Sequence, residues 1–441
     1  MLVVCAIAFA SSASAQASQI PPPDPVTDPE LDRLFQQMLR DPANLDLMFK
    51  YAQTAVQHGN YDAAVGTLSR MLLFNPDLPR VRLELGALYF QMGSYAAARS
   101  YLEQALAAPD MPPEVRERAT ALLAEIDRRT ARNKFVGNLT AGVRWQDNAN
   151  SGPAGVNVRA LGQDATLSNE FTRRSDWNAF ALGSFQHIYN PQLISGDVLE
   201  STAVFYGTRQ SKLHDLNVAL AEVTSGPRFA LGNSGPGNAT LRPYLLANIV
   251  GLGDVQYYYT FGGGIGLTQE FGERVLVEAL FERREKRFNN SSDRPFATDQ
   301  NGDQNSLFLS TRILTSAETV VSLGAGVSGD NAREDYRANT EWLGAATFSY
   351  FFDPDLWAVR QPWSVNFAVA RLYTHYDAPD PAVDPNVTRE DHEWRFTLYN
   401  TVPLTDSLSL VGQVQRFIVD SNLPNFEYKN WAVSAGLSWQ F

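Results

Sequence analysis

Histidines and paired acidic side chains often carry chemistry in proteins, but in this chain neither group has a suitable spacing. The nearest two histidines, His375 and His392, are separated by 17 residues. A zinc site usually takes neighbouring ligands about two to five residues apart. We find no convincing Ser/His or paired-carboxylate constellation, so the sequence predicts no enzyme, no metal site and no cofactor. The histidines are His58, His187, His214, His375 and His392.

Two other groups of residues could in principle form a binding site. His375, Asp377 and Asp380 lie near a predicted loop and have ligand types that could hold an ion, although charged loop residues are far commoner than ion sites. Gly262, Gly263 and Gly264 lie inside a strand pattern, whereas a phosphate-binding loop needs a helix after it. We therefore expect these glycines to mark a bend or a close contact.

The elements that would position these residues are strands, because two-residue alternation runs from near Lys134 to Phe441. In the last segment, one face has polar and small residues and the other has Trp431, Val433, Ala435, Leu437, Trp439 and Phe441. One such face suits lipid and the other suits water. A strand of a soluble β-sandwich alternates as well. The many recurrences of the pattern favour a barrel with a charged lumen.

Turn signals divide this region into fourteen predicted strands, within a range of twelve to sixteen. An even number brings both ends of a barrel to the same side. Longer polar loops are expected at 147–175, 289–304 and 377–388. The predicted strands are 135–146, 176–190, 196–210, 215–229, 240–252, 255–270, 274–288, 305–315, 318–329, 339–352, 363–376, 389–401, 406–418 and 428–441.

The alternation also assigns individual side chains. Arg144, Glu278, Glu282 and Arg284 are predicted to face the lumen. The aromatic end of the chain, with Trp431, Trp439 and Phe441, is the pattern that barrel assembly machinery recognises. A closed barrel requires strand 428–441 to pair with strand 135–146.

A different period precedes the strands. Several small, aromatic and glycine residues recur after 34 residues, and this pattern resembles the tetratricopeptide repeat, which is built from pairs of helices. A client-binding groove is predicted on the first helix of each repeat, with the alternative that several of its residues belong to the core. The repeat-defining residues are Ala52, Gly59, Tyr61, Ala64, Gly86, Gly93, Tyr95 and Ala98, and the groove residues are Phe49, Gln53, Val56, Leu83, Ala87 and Phe90.

Composition and the N-terminus complete the domain prediction. Residues 1–15 have the pattern of a signal peptide, 16–27 form a proline-rich linker, 28–133 form a periplasmic repeat domain, and 134–441 form an outer-membrane barrel. Hydrophobic residues make up 44% of the chain without a long apolar run after the signal, which excludes a helical membrane protein. The net charge of −12 leaves no basic face for nucleic acid.

The whole arrangement resembles the surface lipoprotein assembly modifiers, or Slam proteins, which join periplasmic tetratricopeptide repeats to a fourteen-stranded barrel. The most local match is the segment 142–150, Gly-Val-Arg-Trp-Gln-Asp-Asn-Ala-Asn. The fold class is therefore α + β multidomain, with N-terminal helical repeats followed by an antiparallel transmembrane β-barrel. The resemblance implies a translocon that exports or displays a client protein or lipoprotein, surrounded by outer-membrane lipid and lipopolysaccharide. An exopolysaccharide export porin and a passive porin with a repeat appendage are the alternatives.

Overall fold

A computed structural model describes residues 29–108, 112–191, 197–231, 238–355 and 361–441. The predicted signal peptide and linker lie outside the described residues. The chain divides into two compact units between Ala131 and Arg132. The described residues of the first unit form six helices, which are α1 (Pro29–Arg40), α2 (Leu45–Gln57), α3 (Tyr61–Phe74), α4 (Pro79–Gln91), α5 (Tyr95–Leu106) and α6 (Pro113–Thr130).

Local sequence determines where these helices begin and end. The side chains of Asn44 and Asn60 accept hydrogen bonds from backbone N–H groups in the first turns of α2 and α3. Gly59 and Gly93 follow α2 and α4 with φ of +74° at both, a backbone conformation that glycine adopts without strain. The two helical hairpins thus turn in the same way, 34 residues apart. None of the helices within the described residues is long and apolar enough to cross a membrane.

The second unit consists mainly of strands. The described residues contain a short hairpin, β2 and β3, and fourteen longer strands that form one closed antiparallel barrel. The predicted fold class is confirmed, and every predicted strand agrees with the structure to within three residues at each end. The strands are β1 (Asn133–Gln146), β2 (Asn157–Ala160), β3 (Gln163–Thr166), β4 (Asp176–Tyr189), β5 (Val198–Gln210), β6 (Val218–Ala230), β7 (Ala239–Leu252), β8 (Val255–Phe271), β9 (Val275–Phe288), β10 (Gly302–Leu314), β11 (Thr319–Ala332), β12 (Asn339–Phe352), β13 (Trp363–Tyr376), β14 (Glu390–Pro403), β15 (Leu408–Ser421) and β16 (Tyr428–Gln440).

The first and last strands close the barrel, as predicted. β1 pairs with β16 from Asn138 opposite Gln440 to Gln146 opposite Ala432. Beyond that ladder, the N–H groups of Gly137 and Phe441 each donate to the carbonyl of the other residue. The Phe441 ring covers Gly137, since a Cβ atom added there would lie 2.2 Å from Cζ of that ring. Phe441 therefore covers the outward face of β1 next to the closing ladder.

The alternation separates an outward face from a lumenal face around the barrel. On β16, Trp431, Val433, Leu437 and Trp439 are exposed outward, whereas Asn430 and Ser438 are buried inside. The outward face of such a barrel is the one that contacts lipid. We call the end where β1 begins and β16 ends the terminal end, and the opposite end the loop end. The connections at the loop end include 147–175, 289–301 and 377–389.

Candidate functional site

A shallow groove lies on the helical unit, between the first helices of the two repeats. Phe49, Gln53 and Val56 of α2 and Ala87 of α4 line it together, and its volume is about 110 Å³. Four of the predicted groove residues are thus brought to one cavity. The other lining residues are Ala52, Leu68, Glu84, Leu88, Gln91 and Arg118.

The groove combines apolar surface with charge. Arg118 of α6 donates to Glu84 Oε1 over 2.8 Å, and the Arg80 guanidinium lies 5.5 Å from the centre of the Phe49 ring. Binding sites for small and peptide ligands typically join apolar walls to a few placed polar groups. The arrangement suits an extended peptide segment with apolar side chains.

Two predicted groove residues lie elsewhere. Leu83 is only 2% exposed and belongs to the buried cluster that includes Val115 and Ala119 of α6. Phe90 packs on the Tyr95 ring with a centroid distance of 5.7 Å. These side chains are unavailable to the groove because α6 and α5 pack against the face of α4 that carries them. Leu83 is therefore a core residue, which was the alternative to a place in the groove.

The repeat-defining residues have packing roles. A Cβ atom on Gly86 would lie 2.6 Å from Leu102 Cγ, so only glycine lets α4 and α5 approach this closely. Ala64 and Ala98 are completely buried and take the matching positions on the second helices, while Ala52 is buried on α2. The hydroxyl of Tyr95 accepts a hydrogen bond from Arg129, whereas Tyr61 packs against the buried cluster that includes Met48 and Leu68.

In the barrel, a cluster of charged side chains lines one lumenal wall. Arg284 of β9 donates to Glu222 of β6 over 2.7 Å and to Glu282 over 2.8 Å. The Tyr244 hydroxyl of β7 donates to the other oxygen of Glu282 over 2.5 Å. Arg284 is only 9% exposed, so its charge is neutralised by carboxylates at close range and not by water. We call Glu222, Tyr244, Glu282 and Arg284 the lumenal cluster.

The glycine run explains how this cluster spans four strands. Gly262 and Gly264 of β8 face the lumen between β7 and β9. A Cβ atom on Gly264 would lie 2.6 Å from the Tyr244 hydroxyl. Tyr244 can therefore lie flat on β8 and reach Glu282 on the far side. The expected close contact at the glycine run is thus the one between Gly264 and Tyr244.

Other lumenal charges are paired too. Arg242 lies 3.3 Å from Glu200, and Lys286 forms an ion pair with Asp330. The predicted lumenal residue Arg144 donates to the Tyr206 hydroxyl over 3.2 Å, and Glu278 accepts from Ser310 over 3.4 Å. Along the described strands, the lumenal wall therefore carries acidic and basic side chains close together, several of them in ion pairs.

The candidate ion ligands separate in the structure. His375 faces outward and lies 3.3 Å from Glu390, whereas Asp380 is 3.9 Å from Arg337. Within the described ranges, no three acidic, histidine or cysteine residues are grouped as metal ligands.

The loops at the loop end are tied to one another. In the first loop, Arg159 of β2 donates to Asp384 over 2.8 Å and to the Gly162 carbonyl over 2.5 Å. The backbone N–H of Asn386, followed by Arg159, lowers the pKa of Asp384 below its usual value. The N–H of Arg159 also donates to Asn425 Oδ1 over 2.8 Å. The β2–β3 hairpin thereby anchors loop 147–175 to loops 377–389 and 422–427.

Comparisons with known proteins agree with the helical repeats. Residues 52–124 match the tetratricopeptide repeat family. No curated protein sequence matches the chain.

Several solved structures are similar to parts of the chain. One is the type III secretion chaperone SycD of Yersinia enterocolitica, in complex with a peptide of the translocator YopD. Its sequence is 20% identical, the match covers 22% of this chain and 78% of SycD, and the TM-score is 0.21. OprB of Pseudomonas putida is 8% identical, covers 73% of this chain and 96% of its own, and has a TM-score of 0.36.

Proposed function

We propose that the protein is an outer-membrane translocon that exports or surface-displays a client protein or lipoprotein. In this proposal the helical repeats capture the client and the barrel provides its route. The observation that carries the proposal is the groove of Phe49, Gln53, Val56 and Ala87 in the same chain as a closed barrel. A recognition surface tethered to a pore raises the local concentration of the client near that pore.

The paired charges of the lumen favour a polypeptide client. A polypeptide carries both signs of charge, and a wall of alternating ion pairs neither traps nor repels it as a whole. An acidic polysaccharide would be better matched by a wall of basic residues. The lumenal cluster has two carboxylates for one guanidinium, which opposes a polyanion.

The proposed location follows from the barrel. The outward apolar face requires a bilayer, and strands that span one in closed form are typical of bacterial outer membranes. We assign the terminal end and the helical repeats to the periplasm and the loop end to the outside. Barrel assembly machinery would recognise the last strand, where Trp431 and Trp439 of β16 and the following Phe441 are exposed.

The experiment introduces two acidic residues into the groove. Val56→Asp with Ala87→Asp places two carboxylates on the groove surface, and we expect export of the client to fall at least about tenfold, as burial of unpaired charge opposes binding. The proteins on the cell surface and in the medium are compared by quantitative mass spectrometry between cells with the wild-type and the variant chain. Leu73→Asp on α3 is the matched control, because Leu73 is 84% exposed and lies outside the groove.

Loss of one surface lipoprotein or secreted protein in the groove variant alone would support the proposal. Unchanged export, with normal amounts of folded barrel, would overturn the role of the groove. Loss of matrix polysaccharide without loss of any protein would instead identify an exopolysaccharide porin.

A further inference from the structure

Two arginines, Arg371 and Arg416, face outward on the barrel wall, within strand segments whose other outward residues are mainly apolar. Arg371 of β13 pairs across the sheet with Trp394 of β14, and Arg416 of β15 pairs with Trp431 of β16. These aromatic partners are 38% and 44% exposed, so this face is the outer surface of the barrel. The sequence carries a signal for the pair, since both arginines interrupt an alternation of apolar residues.

Each arginine stacks on its tryptophan. The Arg371 guanidinium lies 4.8 Å from the centre of the Trp394 ring, and the Arg416 guanidinium lies 4.9 Å from that of Trp431. A cation held over an aromatic face keeps its N–H donors free at the edges. The same arrangement occurs in two successive hairpins, β13–β14 and β15–β16.

Among the described residues, neither Arg371 nor Arg416 forms an ion pair or a hydrogen bond. Other outward arginines near the loop end are paired: Arg283 lies 3.2 Å from Asp303, and Arg287 forms an ion pair with Glu285. An unpaired charge on the lipid face of a barrel is destabilising unless it lies at the interface or finds a counterion. Arg371 and Arg416 therefore need an anion from outside the chain.

The height of the pair on the barrel identifies where that anion lies. Each arginine lies eight residues beyond the first residue of its strand at the terminal end, Trp363 for β13 and Leu408 for β15. Eight steps of about 3.3 Å at a tilt of about 40° give a height of about 20 Å, and the apolar band of such barrels is about 25 Å tall. The Cα atoms of the arginines thus lie about 5 Å below the upper edge of the band, from where a long arginine side chain can reach the lipid headgroups on the loop end.

We propose that this surface, formed by Arg371, Arg416, Trp394 and Trp431, binds the headgroup of a glycolipid that carries two phosphates. The two arginines lie on strands separated by one strand, so their Cα atoms are at least about 10 Å apart in the sheet. That separation provides two binding points, one for each phosphate at the ends of a disaccharide headgroup. Lys429, which is opposite Ile418 of β15, adds a third positive charge on the same face.

The proposal rests on the outer-membrane location proposed above, which puts the loop end in the leaflet that holds such glycolipids. It does not depend on the nature of the client. Guanidinium groups form short, paired hydrogen bonds with phosphate, and the apolar neighbours of the pair would contact the acyl chains. The acidic residue Asp420 lies further towards the loop end, opposite His392, and leaves the two arginines unpaired.

The test measures lipid binding to the purified full-length protein. Bis-phosphorylated lipid A, monophosphorylated lipid A and phosphatidylglycerol are added to the protein in detergent, and bound lipid is quantified by native mass spectrometry. We expect the variant with Arg371→Gln and Arg416→Gln to bind bis-phosphorylated lipid A roughly ten- to a hundredfold more weakly than the wild type. The control variant, Arg283→Gln with Arg287→Gln, removes two outward arginines that already have partners and should bind within about twofold of the wild type.

Three results decide the matter. Weaker binding in the first variant alone, with a preference for two phosphates over one, supports the site. The site is overturned if the Arg371→Gln, Arg416→Gln variant binds bis-phosphorylated lipid A as tightly as the wild type does. It is also overturned if the wild type binds phosphatidylglycerol as tightly as bis-phosphorylated lipid A. Retention of the compact, heat-modifiable form on gels verifies that each barrel is folded, and Arg371→Lys with Arg416→Lys supplies a milder pair of changes. Client export is measured separately, so a failed lipid site leaves the translocon proposal intact.

Discussion

The contact between Gly86 and Leu102 permits a sharp test of how the repeat packs. An added Cβ atom at Gly86 of α4 would lie 2.6 Å from Leu102 Cγ and 3.3 Å from the Ala98 carbonyl oxygen. Gly86→Ala should gain about 1 kcal/mol from helix propensity and lose about 1 to 3 kcal/mol from overpacking. The expected net effect is a loss of up to about 2 kcal/mol in the free energy of unfolding of the helical unit.

The effect of Gly86→Ala on the free energy of unfolding should change sign when the obstructing Leu102 side chain is removed. Leu102→Ala alone should lower that free energy by about 2 to 5 kcal/mol, because Leu102 is completely buried. In the Leu102→Ala background the overpacking is relieved, so Gly86→Ala should now stabilise by about 1 kcal/mol. Gly66→Ala on α3 is the matched control, since a Cβ atom there would meet nothing within 4 Å. It should stabilise by about 0.5 to 1 kcal/mol.

The assay is denaturant unfolding of the full-length protein in detergent, followed by far-ultraviolet circular dichroism. The helical transition is fitted for the wild type, the two single variants, the double variant and the control. If Gly86→Ala has the same sign in both backgrounds, the close approach of α4 and α5 does not determine the effect, and the packing argument fails.

Two further predictions concern the barrel. Arg284→Met should lower the barrel's free energy of unfolding by about 3 kcal/mol, because Glu222 and Glu282 lose their counterion. Adding Glu222→Gln and Glu282→Gln to the same chain should recover much of that loss. Tryptophan fluorescence during guanidinium unfolding measures both free energies, and a triple variant as unstable as Arg284→Met would contradict the pairing. The lowered pKa of Asp384 means that its hydrogen-bonded ion pair with Arg159 stabilises the loops above about pH 4 and is lost as the pH falls through the folded-state pKa. Pepsin cleavage within loop 147–175 should therefore rise only in strong acid. Asp384→Asn should abolish this dependence of cleavage on pH.

The strands could be predicted from sequence because the lipid face and the lumen impose a period of two on every one of them. The pairing of β1 with β16 also followed, since in a closed barrel the free edges of the first and last strands can pair only with each other. The β2–β3 hairpin was missed for the opposite reason. Its strands have four residues each, and it is anchored by distant groups such as Asn425 and Asp384, which leave no periodic signal.

Side-chain contacts between elements were harder to predict than the elements themselves. The 34-residue period makes Leu83 and Phe90 equivalent to Phe49 and Val56, yet only the latter pair lines the groove. The 34-residue period carries no information about which helix packs next to each copy of the repeat. Leu83 lies in the same buried cluster as Val115 of α6, whereas Phe49 lines the groove.

The lumenal cluster connects the glycine run to the proposed cargo. A side chain longer than glycine at 264 would push Tyr244 off the wall and into the lumen, and one at 262 would collide with the backbone of Arg283. With glycine there, Tyr244 and Arg284 lie along the wall and satisfy Glu222 and Glu282 within hydrogen-bond distance. Groups that are satisfied by one another have little residual attraction for passing charge. Under the proposed function, we therefore expect such a wall to favour passage of an extended chain of mixed charge over binding of a particular small solute.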